Sequence, residues 1–232
     1  MKLDRLIAKH RSLGRREAHR LIAAQQVKVD DIVCAENQYP VDRFMQVQLG
    51  DEIIQSAERA LYLMLHKPAG VVSATVDAEH QTVIDLLDDP DKHTLHIAGR
   101  LDRASTGLLL LTNDGRWSKQ FMNAESKVSK VYQVETLQPI PQEAVTAFAE
   151  GFHFATEDIT TLPAGLEILA EKRARITLQE GRHHQIKRML GRVGCLVSSL
   201  HRESIGRLTL PENLLPGQWR ALTDSERLLC LS

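Results

Sequence analysis

Asp102 is the residue whose surroundings most strongly suggest chemistry. It lies between Arg100 and Arg103 in a polar, glycine-bounded segment, 98–107, and the apolar run 108–111 follows directly. The run has the length and composition of a buried strand. A carboxylate on a loop at the end of a rigid strand is well placed to act on a molecule outside the protein. Taken alone, however, the loop favours an ordinary turn in which Asp102 accepts hydrogen bonds from its own backbone.

Two further segments carry side chains that can bind or react. The segment 130–135 alternates as a strand does, and Tyr132 lies on its more apolar face. The apolar residues of the segment 186–190 have helical spacing, which leaves Lys187 and Arg188 off the buried face. An acid, an aromatic residue and a basic helix are therefore the elements from which a site can be built.

Other common chemistries lack their residue patterns. The chain has ten histidines, but none lies at metal-ligand spacing with a partner, so the sequence predicts no metal. No phosphate-binding loop, dinucleotide fingerprint or nucleophile elbow occurs, and we expect no cofactor. Paired glycosidase carboxylates would need a second acid near Asp102, where the chain has arginines instead.

The charge of the chain is unevenly distributed. The 232 residues carry a net charge of −1, with 43% hydrophobic and 25% charged residues, as in an ordinary soluble globular protein. Residues 1–30 contain eight basic and three acidic side chains, and residues 171–207 contain nine and three. Two basic blocks on an otherwise acidic chain indicate a polyanion bound at two places, although solvated surfaces also carry such runs.

The same composition bears on location. No apolar run is long enough to span a membrane, and the first residues lack the apolar core of a signal peptide, so we expect no membrane association. The three cysteines are odd in number and far apart, which favours reduced thiols. These features predict a cytoplasmic protein, and nothing in the sequence requires more than a monomer.

Residues 1–57 form a predicted small domain. Two short amphipathic helices, around residues 3–7 and 18–22, precede two strand pairs. The order of the basic residues and strands resembles the S4 RNA-binding domain, although Gly14 and Gln26 stand where that family usually has Ser and Gly. The resemblance implies that five basic side chains contact phosphates: Arg5, Arg15, Arg16, Arg20 and Lys28.

Residues 61–232 are predicted to form a second, larger domain. A strand at 61–65 leads into a Lys-Pro-x-Gly loop, and a second strand is expected at 71–74. Helices are expected at 83–87 and 141–152. The segment 153–170 is rich in turns and has no clear period.

Three motifs in this second part resemble those of RNA pseudouridine synthases. They are Gly-Arg-Leu-Asp-x-x-x-Thr-Gly with its leucine run, Lys-x-Tyr, and Gly-Arg-x-His-Gln-Ile-Lys-Arg-Met. The S4-like domain and the Lys-Pro-x-Gly-Val segment further resemble the RsuA family, which acts on the small ribosomal subunit. The resemblance implies an α+β fold: an S4 domain ahead of a catalytic domain built on a largely antiparallel mixed sheet with flanking helices.

The resemblance also assigns roles. Asp102 would be the ionised catalytic acid, Lys187 its salt-bridge partner and Tyr132 the aromatic residue on the uracil face. From the residues alone, Lys187 could equally contact a phosphate and Tyr132 could be a core aromatic. Six more residues would contact RNA: Arg100, Arg103, His184, Gln185, Arg188 and Arg202.

The expected reaction converts a uridine of 16S ribosomal RNA to pseudouridine. The N1–C1′ bond breaks, the base turns, and C5 joins C1′, which requires neither a metal nor a redox cofactor. The base must first be flipped out of its stack. A synthase acting on 23S rRNA is the nearest alternative, and a non-catalytic rRNA-binding assembly factor is the alternative from another class.

Overall fold

The computed structural model describes residues 1–123 and 126–231. By the contacts within it, the chain divides into two compact units, Met1–Ala60 and Leu61–Ser232.

The first unit packs two helices on a small sheet. Its elements are α1 (Leu3–Arg11), α2 (Arg15–Ala23), β1 (Val27–Val29), β2 (Ile32–Val33), β3 (Val47–Leu49) and β4 (Glu52–Gln55). The antiparallel strands lie in the order β2-β1-β3-β4. Between β1 and β2, Asp30 and Asp31 both have positive φ (48° and 65°), which is the backbone geometry of a tight hairpin turn. The predicted helices and strand pairs of this part are confirmed.

The second unit contains a nine-stranded mixed sheet. Its strands are β5 (Tyr62–Lys67), β6 (His96–Ala98), β7 (Thr106–Thr112), β8 (Lys130–Thr136), β11 (Gly165–Ala170), β12 (Arg173–Leu178), β13 (Val197–Ile205), β14 (Leu208–Thr209) and β15 (Trp219–Ala221). The order is β11-β12-β8-β13-β7-β5-β15, with β14 on β13 and β6 on β7. Only the β13–β7 pair in this sheet is parallel among the described strands. The predicted largely antiparallel mixed sheet is confirmed.

Helices and a small hairpin complete this unit. They are α3 (Gly115–Met122), α4 (Glu143–Glu150), the β9–β10 hairpin (His153–Phe154 with Ile159–Thr160), α5 (Gln185–Arg192) and α6 (Asp224–Leu229). A single 3₁₀ turn, Lys92–Thr94, precedes β6. The hairpin lies in the segment that has no clear period in the sequence.

The leucine run after Asp102 is the centre of the sheet. All four leucines of β7, residues 108–111, are fully buried. Leu109 and Leu111 pack on one face and Leu108 and Leu110 on the other, the latter with Trp117 of α3. Burial on both faces explains why the run is continuously apolar. The loop that carries Asp102 is therefore attached to a strand that is buried on both faces.

Two local predictions near this loop are wrong. Residues 71–74 form no strand, because Val72 makes only an isolated bridge to Thr82. Residues 83–87 form turns in place of a helix. The amides of Asp85 and Leu87 bond three residues back, to the carbonyls of Thr82 and Ile84, and the amide of Val83 bonds to Val72. Tertiary packing explains both, because the apolar residues of this segment are buried in the core without regular structure.

Candidate active site

Asp102 and Lys187 meet although they are far apart in sequence. The Lys187 ammonium lies 2.7 Å from Oδ2 of Asp102. Nε2 of His184 lies 3.5 Å from the other carboxylate oxygen, Oδ1. The backbone of the loop does form a turn, in which the Ser105 amide donates to the Asp102 carbonyl. The carboxylate itself faces the cations of another element, so the turn and the ion pair coexist.

Helix α5 presents Lys187 because its opposite side is buried. Ile186, Met189 and Leu190 pack into the core, as their spacing predicts, and Lys187 is left half-exposed. The helix begins after His184, which has the left-handed backbone conformation, with φ of 49°. Residues held in this sparsely populated region are often found at functional sites.

A buried carboxylate fixes the turn before α5. Glu180 accepts hydrogen bonds from the side-chain amide nitrogen of Gln185 at 2.6 Å and from the backbone amide of Leu162 at 2.9 Å. The side-chain oxygen of Gln185 in turn accepts from the backbone amide of Arg182 at 3.0 Å. Gln185 is only 3% exposed, so the expectation that it contacts RNA is wrong: its side chain is committed inside the protein.

Arg202 is the second correction among the expected RNA contacts. Its side chain is 1% exposed, and its guanidinium donates to the carbonyls of Leu108 at 2.7 Å and Gly99 at 2.8 Å. A buried guanidinium cannot reach a phosphate outside the protein. Arg202 instead joins β13 to the start and end of the segment that carries Asp102, and Nη1 lies 3.5 Å from the Tyr132 hydroxyl.

Lys67 is a residue of this region whose role the sequence does not reveal. It is fully buried at the end of β5, and its ammonium donates to the carbonyls of Pro68, Ser105 and Arg103 at 2.9, 2.8 and 3.3 Å. The Lys-Pro-x-Gly pattern predicts only a loop. The available signal that this side chain is buried was a lysine at the end of an apolar strand, directly before a proline.

Burial also makes Lys67 titrate unusually. Desolvation lowers the pKa of its ammonium to about 8, with the charge of Asp102 opposing the shift and that of Arg202 adding to it. The unfolded chain therefore binds more protons than the folded chain between pH 8 and the ordinary lysine range. Lys67 consequently contributes stability that rises with pH across this window.

We predict that the free energy of unfolding of the wild type rises by about 2 kcal/mol between pH 7 and pH 10 relative to that of Lys67→Met. Urea unfolding of both proteins at each pH measures the difference, in which all other titrating groups cancel. Parallel curves for the two proteins would show that Lys67 keeps an ordinary pKa.

The remaining expected RNA contacts are at the surface. Arg100, Arg103 and His184 are exposed, and Arg103 also donates to the Gly70 carbonyl at 3.1 Å. Arg188 is half-buried against the β9–β10 hairpin, with Glu157 at 2.7 Å. All five basic residues expected to bind RNA in the first unit are exposed: Arg5, Arg15, Arg16, Arg20 and Lys28.

Asp102, Tyr132 and Lys187 line one solvent-open cleft. The other lining residues are Arg100, Leu101, Ser105, Leu178, Gly181, Arg182, His184, Gln185, Ile186 and Leu200. Tyr132 also belongs to the core, with 7% exposure, so its place on a buried strand face is confirmed, whereas its contact with the uracil stays a prediction.

Neither a metal cluster nor a membrane helix is found in the part of the chain that the structure describes. No three His, Cys, Asp or Glu side chains there are grouped so as to hold a metal ion. No helix among residues 1–123 and 126–231 is long and apolar enough to cross a membrane.

The fold and the cleft together define the class of RNA pseudouridylate synthases. Residues 61–191 match the family model of RNA pseudouridylate synthase. A crystal structure of a pseudouridylate synthase is 35% identical and superimposes with a TM-score of 0.72, covering 99% of both chains.

Comparison with individual proteins shows to which family within this class the chain belongs. The chain is 48% identical to ribosomal small subunit pseudouridine synthase A of Pseudomonas aeruginosa, over 97% of this chain and 98% of that protein. It is 38% identical to the protein of the same name from Escherichia coli, over 97% and 98%. The chain belongs to the RsuA family of pseudouridine synthases, and it is an isomerase that acts on RNA.

Proposed function

We propose that this enzyme converts one uridine of 16S ribosomal RNA to pseudouridine, with Asp102 as the catalytic residue. The observation that carries the proposal is the Asp102–Lys187 ion pair at 2.7 Å, in a cleft that Tyr132 also lines. The small-subunit rRNA is the substrate class because the relatives at 38–48% identity are named for it. The enzyme acts in the cytoplasm as a monomer, on free rRNA or on an assembly intermediate.

The ion pair suits a carboxylate that has to remain ionised. Lys187 donates to Oδ2 of Asp102 at 2.7 Å, and its positive charge balances that of the carboxylate. Asp102 then either attacks C1′ of the sugar, forming an ester bond that breaks again when C5 joins C1′, or removes a proton from the sugar and returns it once C5 has joined C1′. The N1–C1′ bond breaks and the uracil turns while it is held against Tyr132. C5 then joins C1′ and loses its proton, and N1 gains one, so the product is an isomer of the substrate.

The exposed cations account for the binding of the RNA. Flipping a base out of a stack costs about a few kcal/mol, and phosphate contacts compensate for this cost. Arg100 and Arg103 flank Asp102 at the surface, and His184 lies at the same cleft. The first unit acts as an S4-type RNA-binding domain through the exposed basic residues of α1, α2 and β1.

A carbodiimide and primer-extension assay on rRNA from a deletion strain tests the proposal. We expect one stop in 16S rRNA to disappear in the deletion strain and to return with the wild-type gene. Loss of a stop only from 23S rRNA would support the large-subunit alternative. If every stop persists in the deletion strain, the assembly-factor alternative replaces the catalytic one.

The role of the first unit predicts a change in salt dependence. In the double variant Arg16→Gln/Lys28→Gln, the slope of log affinity for RNA against log salt should fall by about 1.5, because two exposed phosphate contacts are lost. Filter binding between 50 and 200 mM salt measures the slope.

A matched control removes the same charge elsewhere. Lys119 of α3 and Arg207 are exposed in the second unit and lie outside the cleft. The variant Lys119→Gln/Arg207→Gln should retain most of the wild-type slope. Equal slopes for the two double variants would mean that net charge alone, and no S4-type contact, determines the affinity.

A further inference from the structure

Ser105 is a buried polar residue of the cleft that the mechanism leaves unused. It lines the same cleft as Asp102, Tyr132 and Lys187, and it is 2% exposed. Its Oγ is shielded from solvent and has no hydrogen-bond partner among the described residues. Buried hydroxyl groups in native proteins are nearly always paired, so an unpaired one in a cleft requires an explanation.

The position of this hydroxyl distinguishes it from the other unpaired buried groups. Among the described residues, three further side-chain atoms are buried without a hydrogen-bond partner: Oδ1 of Asp4, Oδ1 of Asn37 and Nδ1 of His80. None of them belongs to a residue that lines the cleft. The backbone of Ser105 is fixed on both sides, because its amide donates to Asp102 and its carbonyl accepts from Lys67 at 2.8 Å. The backbone that carries the hydroxyl is therefore held in a fixed place, in the wall of the cleft that Asp102 also lines.

The neighbouring polar groups of the cleft already have partners. Asp102 is paired with Lys187, the Gln185 amide with Glu180, and the Tyr132 hydroxyl is within 3.5 Å of Arg202. Tyr132 and Ser105 both line the cleft and are both nearly covered, so the tyrosine that would hold the base and the unpaired hydroxyl belong to the same cleft wall.

We propose that the Ser105 hydroxyl donates a hydrogen bond to a carbonyl of the flipped uracil and holds the base while it turns. The inference rests on the proposed function. A half-turn of uracil about the axis through N3 and C6 exchanges N1 with C5 and O2 with O4. A carbonyl oxygen therefore occupies the same place before and after the turn. One fixed donor satisfies both orientations without moving.

The test uses the full chain and a 16S-derived RNA labelled with tritium at C5 of uridine. In Ser105→Ala, the single-turnover rate of tritium release should fall about ten-fold, because negative charge develops on the uracil carbonyl oxygens as the N1–C1′ bond breaks and the hydrogen bond that stabilises this charge is lost. RNA affinity should change little, because phosphate contacts dominate it. The unfolding temperature should not fall, since the free protein loses no hydrogen bond. Ser105→Thr, which keeps the hydroxyl, should restore the rate.

Ser118 supplies the matched control. It is also a buried serine of this unit, but its hydroxyl is bonded at 2.8 Å to His96, away from the cleft. Ser118→Ala should lower the unfolding temperature and leave the rate unchanged. If Ser105→Ala behaves in this way, or keeps a rate within two-fold of the wild type, the inference is wrong.

A substrate analogue identifies the atom that is contacted. Two RNAs carry 2-thiouridine or 4-thiouridine at the modified position, and each replaces one carbonyl oxygen by a weaker acceptor. At least one of them should slow the wild type more than Ser105→Ala, because the two changes remove the same bond. Equal slowing of both proteins by both RNAs overturns the uracil contact. A wild type inactive on every rRNA overturns the proposed function as well, whereas an active wild type matched by Ser105→Ala overturns only this inference.

Discussion

Asp102→Asn should lower the rate of pseudouridine formation at least 1,000-fold. This corresponds to an increase of about 4 kcal/mol or more in the activation free energy. Asparagine has the same shape but carries no charge, so it can neither attack the sugar nor accept a proton from it. The variant should still bind RNA, because the exposed cations that contact phosphates are unchanged. Tritium release from labelled 16S RNA measures the rate, and filter binding measures the affinity.

The fold should tolerate this change. Asp102 and Lys187 are both about a third exposed, and a pair of this exposure contributes at most about 1 kcal/mol to stability. Asp114→Asn is a matched control. Asp114 caps α3 by accepting from the amides of Arg116 and Trp117, and asparagine also caps helices well. The control should keep its activity, and an Asp102→Asn protein with more than a tenth of the wild-type rate would rule out catalysis by this carboxylate.

Gly107→Ala should destabilise the second unit by about 4 kcal/mol or more, as when backbone strain and a steric clash act together. A Cβ at this position would lie 2.3 Å from the carbonyl oxygen and 2.5 Å from the amide nitrogen of Arg202. These are backbone atoms of β13, which pairs with β7 at this point, so neither strand can move aside. The φ of 109° adds strain for any residue other than glycine.

Gly217→Ala separates the clash from the strain. Gly217 also has a positive φ, of 85°, but nothing lies within 4 Å of the added Cβ. This control should lose only about 1–3 kcal/mol, the cost of the backbone conformation. Urea unfolding measures the loss of stability in both variants. Equal losses would show that the contact of the added Cβ with Arg202 costs no stability. If Gly107→Ala is recovered only as insoluble protein while Gly217→Ala is soluble, the prediction is supported.

The two predictions concern one structural unit. Asp102 performs the chemistry, and Gly107 allows β13 to approach closely enough for Arg202 to reach the carbonyls of Leu108 and Gly99. Lys67 of β5 holds the same loop through two carbonyls, those of Arg103 and Ser105. The loop is thus fixed by buried cations on two strands, which explains how a polar turn can hold a carboxylate in a defined place.

Much of the local structure follows from the sequence because it depends on local patterns. The leucine run predicts the buried strand β7, and the spacing of Ile186, Met189 and Leu190 predicts which side of α5 is buried. Resemblance to a family added the pairing of Asp102 with Lys187, which local patterns do not contain. The two strand pairs and two helices of the first unit follow in the same way as β7 and α5.

Only the tertiary structure decided how these elements meet. Periodicity shows which face of an element is apolar, but it does not show which other element covers that face or which polar side chains are covered with it. Arg202 and Gln185 lie in basic segments of the kind that bind RNA, yet long-range packing buries both side chains. Lys67 is held by carbonyls of residues 36 and 38 positions away in sequence. Ser105 lines a cleft that residues of several distant segments build together. The sequence by itself predicted the acid, the basic helix and the buried strand. The pairing of β7 with β13 and with β5, strands distant in sequence, decided that Arg202 and Lys67 hold the loop from inside the protein.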